Sequence, residues 1–116
     1  MKAIRGAIQV GANTPEEIAA GVKELMPAIL QANGLATNDV ISVIFTCTPD
    51  LTAAFPAAFA REIGFSNVPL ICAVEMAVPG ALPLVIRVML HVEMATTPAH
   101  IYLRGAAALR SDLNAQ

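Results

Sequence analysis

Apolar positions recur along this chain with two different periods, and the switches between them mark its elements. Lys2 to Val10 alternates and predicts a first strand, with Gly6 as a small-residue break. Gly11 to Asn13 reads as a turn. Thr14-Pro15-Glu16-Glu17 is then a helix start: Thr14 caps, Pro15 suits the first helical position, and Glu17 completes a capping box. Ile18, Val22, Leu25, Met26, Ile29 and Leu30 follow at helical spacing. Pro27 is expected to kink or split this helix, and Gly34 to stop it.

Beyond a turn at Thr37-Asn38-Asp39, Val40 to Cys47 is almost wholly apolar and β-rich, as in a strand covered on both faces. Thr48-Pro49-Asp50 breaks it. A second helix is predicted from Phe55 to Ile63, ended by Gly64, and another buried strand from Val68 to Val74. Val78 to Pro83 holds too much proline and glycine for regular structure. Val85 to Glu93 alternates as a strand, Ala95 to Ala99 is a loop, and Ile101 to Leu109 is a last strand before a polar, flexible tail after about residue 110. The order β-α-β-α-β-β-β predicts an α/β or α+β fold, a sheet with two helices packed on one face.

Composition changes this picture in one respect. A chain of 116 residues is expected to be a single domain, residues 1–116, yet 56% of it is hydrophobic and its mean hydropathy is +0.64. That exceeds the roughly 45–50% apolar share usual for soluble domains. A small domain cannot hide so much apolar side chain alone, so a second copy or a membrane must cover the excess. Glu75, Arg87 and four Pro or Gly residues interrupt the apolar region from Val68 to Val92, and no run of about 18 uncharged apolar residues exists. The first residues lack the apolar core of a signal peptide. A cytoplasmic homo-oligomer with no membrane partner is the expectation.

Net charge is −2 with the signs interspersed, and there is one Tyr and no Trp, which argues against nucleic-acid binding. Cys47 and Cys72 lie in apolar segments and read as buried, reduced thiols. No CxxC pair or His/Cys cluster points to a metal. His91 and His100 read as satisfied or exposed histidines. P-loop, GxGxxG, GxSxG and HExxH motifs are absent, as is any Ser or Cys beside a His base.

What remains is charge. Only 14% of residues are charged, yet Arg5, Arg87, Arg110 and Glu75 lie inside or against apolar stretches. Unpaired burial there would cost several kcal/mol or more. Three guanidiniums and one carboxylate suggest a pocket for a small polyanion bearing a hydroxyl, because arginine forks match carboxylates bidentately. Each residue also has a plain structural reading. Arg5 and Arg87 could face water, Glu75 could be an ion-pair acid, and Tyr102 a core residue with a satisfied hydroxyl. Arg61-Glu62 and Arg104 read as solvated surface.

Several blocks occur in order over nearly the whole chain: Ile4-Arg5-Gly6-Ala7, Thr48-Pro49-Asp50-Leu51, Phe55-Pro56-Ala57, Arg61-Glu62, Val68-Pro69, Cys72 with Glu75-Met76, Ile86-Arg87-Val88-Met89, His100-Ile101-Tyr102-Leu103, and Leu109-Arg110 with Asp112-Leu113. None is very specific alone. Together they resemble the AroH-class, monofunctional chorismate mutases. The resemblance implies a homotrimeric pseudo-α/β barrel with sites between adjacent subunits. It implies an isomerase that converts chorismate to prephenate on the route to phenylalanine and tyrosine, without a cofactor.

By that resemblance Arg87 supplies the cation at the ether oxygen, Arg5 and Tyr102 bind the side-chain carboxylate, and Glu75 accepts the ring hydroxyl. Cys72 and the backbone of Ile71, Cys72, Ala73 and Val74 would line that side. Phe55 and Ala57 would form a wall contributed across the interface, with Arg61 at the mouth, and Leu109 and Arg110 in a mobile flap. Ala58 stands where the family often has a lysine, which removes a cation from the mouth. Two other readings remain: a trimer of the enamine/imine deaminase type, which also grips a carboxylate with an interface arginine on a similar architecture, and a non-catalytic small-anion-binding trimer.

Overall fold

Five strands form one mixed sheet in a computed structural model that describes residues 1–110. They are β1 (Lys2–Gln9), β2 (Val40–Cys47), β3 (Leu70–Val74), β4 (Val85–Val92) and β5 (Ile101–Leu103), in the order β3-β2-β4-β1-β5. The central strand β4 runs antiparallel to both β1 and β2, while β5 and β3 add in parallel at the two edges. The predicted α+β order is therefore observed.

The helix α1 (Pro15–Asn33) lies across one face of this sheet. Thr14 caps it as expected, its Oγ accepting from the Glu17 N–H at 3.1 Å. The Glu17 carboxylate does not reach back to the cap. It accepts instead from the Gly11 N–H at 3.2 Å and ties the preceding turn to the helix. Gly34 ends α1 in the left-handed region, φ 64°, as the sequence predicts. Pro27 does not split it: α1 is one run of 19 residues. Pro27 is exposed, so the carbonyl that loses its amide partner can turn to water. The buried stripe Ile18, Val22, Leu25, Met26 and Ile29 passes beneath without a gap.

That stripe packs on Ile4, Ile8, Val43, Phe45, Ile86, Val88 and Leu90, the residues of alternate phase in β1, β2 and β4. Gly6 lies within β1 rather than breaking it. A Cβ there would come 2.7 Å from Ile29 Cδ1 and 3.1 Å from the Ile101 carbonyl oxygen, so a larger residue would have to displace the Ile29 side chain.

Three boundaries differ from the sequence reading, and the simplest is β3, which begins at Leu70 rather than Val68. The second helix, α2 (Pro56–Ala60), runs into a wider turn over Arg61–Phe65, where Gly64 adopts φ 108°. The last strand stops at Leu103, not Leu109. Arg104 takes φ 54°, its guanidinium is held by Glu24 of α1 at 2.7 Å, and Arg104–Arg110 winds as a 3-10 helix. Three consecutive alanines (Ala106 to Ala108) carry little β preference to resist that turn. Described backbone ends with Arg110. The Arg110 side chain and the predicted tail lie outside the described residues.

Candidate active site

The sheet face away from α1 carries the chemistry, and the strand register builds it rung by rung. Tyr102 pairs with Ala7, Ala7 with Arg87, Arg87 with Thr46 and Thr46 with Ala73, one row across all five strands. The next row runs Arg5, Met89, Ile44, Ile71. Residues paired in register point to the same face, so Arg5, Arg87, Thr46 and Tyr102 converge although they come from four strands. They line an open cavity of about 250 Å³ together with Gly6, Ile44, Val88 and Met89.

Glu75 joins them from the end of β3. Its N–H donates to the Cys47 carbonyl at 2.8 Å, which carries the β2–β3 pairing to the cavity's rim. There Glu75 Oε2 meets Arg87 Nε at 3.2 Å and accepts from the Thr46 hydroxyl at 3.1 Å. Oε1 accepts from the Met76 N–H at 3.0 Å. With Arg87 held through Nε, its two terminal nitrogens have no partner among the described residues. The site thus sets two guanidiniums, Arg5 and Arg87, against one carboxylate, an excess of positive charge that suits an anion.

Burial follows a different course from the sequence reading. The Arg87 and Glu75 side chains are 47% and 30% exposed in the single chain, and Arg5 is exposed too. The sheet face that carries them is open. The Tyr102 ring is tucked in, 8% exposed, packed with Ala7, Val85 and Ala106. Leu109 packs against that same cluster from the 3-10 helix.

Phe55, Ala57, Arg61, Ile71 and Cys72 gather elsewhere. With Leu70 they line a second hollow, about 320 Å³, at the β3 edge of the sheet. Ala73 and Val74 border a third, about 490 Å³, with Phe55, Cys47 and Cys72. One chain therefore brings Arg5, Glu75, Arg87 and Tyr102 together and holds Phe55, Ala57 and Arg61 apart from them. Ala58 is exposed on α2 beside this second group.

Thr46 escaped the sequence reading. Its signal was a hydroxyl in the outward phase of an apolar strand, alternating with Val43, Phe45 and Cys47. His100 also gains a definite contact: its Nδ1 accepts from the Arg5 N–H at 2.9 Å, one rung beyond the point where the β1–β5 ladder begins. Cys47 is buried, while Cys72 is only partly so, and both are free thiols. Burial pushes the Cys47 thiol up to about 11, with the neighbouring Cys72 and Asp50 adding to the shift. Among the described residues no three His, Cys, Asp or Glu gather as a metal site, and no helix is long and apolar enough to cross a membrane.

Comparison with known proteins matches this arrangement. The profile of the family described as "Chorismate mutase type I" covers residues 1–113. The protein named Chorismate mutase AroH of Thermus thermophilus is 49% identical over 97% of this chain and 96% of its own length. Its namesake in Bacillus subtilis is 39% identical over 98% and 93%. Among solved structures, a chorismate mutase from Clostridium thermocellum superposes with a TM-score of 0.91 at 45% identity, over 93% of this chain and 99% of that one.

Proposed function

The chain belongs to the chorismate mutase type I family, and from that membership we propose how its residues divide the work. It is a chorismate mutase, an isomerase that rearranges chorismate to prephenate. In that step the ether C–O bond breaks as a C–C bond forms within the same molecule. Electrons move around one ring of atoms, and no proton, nucleophile or external electron is needed. Catalysis reduces to two tasks: holding the enolpyruvyl ether folded over the ring, and stabilising negative charge on the breaking ether oxygen.

The Thr46–Glu75–Arg87 cluster beside Arg5 and Tyr102 carries the assignment. Arg87 presents its terminal nitrogens to the ether oxygen and a carboxylate. Arg5, with the Tyr102 hydroxyl, grips the side-chain carboxylate. Glu75 accepts the ring hydroxyl, beside the β3 backbone from Ile71 to Val74. Each donor already points from a strand, so little reorganisation accompanies charge development.

The partner is a second copy of the chain. A cavity of about 250 Å³ is smaller than the roughly 300–1,000 Å³ of a usual ligand pocket, and it is open. Phe55, Val74 and Met76 are 72%, 75% and 77% exposed, a density of bare large side chains that a soluble chain covers on assembly. The proposed assembly is a homotrimer in which Phe55, Ala57 and Arg61 of one copy wall the sheet-face cavity of the next. Leu109 and Arg110 close it from the C-terminal side.

The decay of chorismate ultraviolet absorbance with purified protein tests this, with Arg87→Ala beside it. Rapid loss yielding prephenate, abolished by the substitution, is expected. A mild effect of Arg87→Ala would remove it from the ether oxygen.

A further inference from the structure

We propose that Thr46 is a positioning residue, and that its hydroxyl holds Glu75 and Arg87 as one rigid unit. The inference rests on the reading of Glu75 as acceptor of the ring hydroxyl and Arg87 as the cation at the ether oxygen.

Within one chain Glu75 and Arg87 meet through a single ion pair at 3.2 Å, which alone does not fix either side chain. Glu75 lies just past the last β3 residue, Val74, and is followed by a stretch rich in Pro and Gly, so its backbone lends it little rigidity. Thr46 supplies what is missing. It sits inside β2, directly opposite Arg87 in the β2–β4 register and opposite Ala73 in the β2–β3 register. Its β-branched side chain is stiff at χ1. From that fixed point it donates to Oε2, the oxygen that also meets Arg87 Nε.

The carboxylate has about four acceptor positions. The Thr46 hydroxyl takes one on Oε2, which Arg87 Nε also crowds as an ion-pair partner 3.2 Å away, and the Met76 N–H takes one on Oε1. One position on Oε1 is left for an incoming hydroxyl. Thr46 thereby decides which oxygen meets the ligand and, through the shared Oε2, turns the terminal nitrogens of Arg87 toward the cavity they line together. It acts through Glu75 and takes no part in the bond changes.

The test is a double-mutant cycle on the assembled enzyme with Thr46→Val, Thr46→Ser, Glu75→Ala and Thr46→Val/Glu75→Ala. Valine keeps the branched shape and loses only the hydroxyl. Thr46→Val should lower kcat/KM about tenfold, with the thermal midpoint unchanged. Thr46→Ser should recover activity to within about threefold of the parent. In the Glu75→Ala background the valine should change kcat/KM by less than about twofold.

Equal loss in both backgrounds, a silent Thr46→Val, or a serine as impaired as the valine would overturn the proposal. A silent Glu75→Ala would instead remove the role given to Glu75 and the inference with it. A damaging Glu75→Ala beside a silent Thr46→Val removes the inference alone.

Discussion

The open face of the sheet and the edge around β3 are built of different materials. On the face, Arg5, Thr46, Arg87 and Tyr102 come from four strands, in two adjacent rows of one register. With Glu75 they already form a charged, hydrogen-bonded cluster inside one chain. At the edge, Phe55, Ile71 and Val74 are apolar, largely exposed and grouped around separate hollows, with the exposed Met76 close by in sequence. Strand pairing suffices to place the charges. Among the described residues nothing covers the apolar side chains. On the proposed reading the two regions have different duties: the face would carry the chemistry, and the edge assembly and enclosure.

Breaking the face should cost most. Arg87→Ala is expected to lower kcat about a thousandfold or more while the assembly stays intact in light scattering, and Arg87→Lys should recover only a small part. A next, smaller effect is expected at the edge. Phe55→Asp places a charge where the proposed trimer buries a ring, so scattering mass should fall and activity with it, while each chain keeps its fold by circular dichroism. Intact mass with full activity would deny the edge its role. Arg5→Ala should act mainly on KM, raising it about ten- to a hundredfold with a smaller change in kcat, because a carboxylate grip persists from substrate to transition state.

The smallest effect concerns the α1 side of the sheet near this edge. The folded protein holds the Cys47 proton more tightly than the unfolded chain, whose thiol titrates near pH ~8.5. The stability tied to this group is therefore full below that pH and declines as pH rises toward about 11. Cys47→Ala should flatten that decline in thermal midpoints taken over this range.

Most of the fold was legible because two local signals were strong. Alternation placed β1 and β4, and a continuous β-rich apolar run placed β2, within a residue of their observed bounds, and Thr14 and Gly34 marked the two ends of α1. The failures have tertiary causes. Gly6 reads as a break until Ile29 is seen to need its space. Leu103 to Leu109 looks like continuing strand until Glu24 is found holding Arg104 at a left-handed turn. Pro27 signals disruption only to a reading that cannot see it facing water.

The site was legible through resemblance more than through pattern. Apolar flanks marked Arg5, Glu75 and Arg87 as unusual, yet the expected burial is absent in one chain: Ile4, Ile86 and Val88 face α1 while Arg5 and Arg87 face out, and Glu75 stands between the exposed Val74 and Met76. Thr46 was invisible because a threonine in a strand fits β preference, and its meaning comes from partners on β4 and just past β3.

Subunit complementation tests most directly whether one copy's face works only beneath another copy's edge. Arg87→Ala chains would be refolded together, at equal amounts, with Phe55→Ala/Arg61→Ala chains. Each parent alone should be nearly inactive. Random pairing in a shared-site trimer gives about a quarter of the sites an intact face and an intact edge, and about a quarter of wild-type activity should return. A mixture no more active than the mean of its parents, or a Phe55→Ala/Arg61→Ala parent as active as wild type, would contradict a site shared between copies.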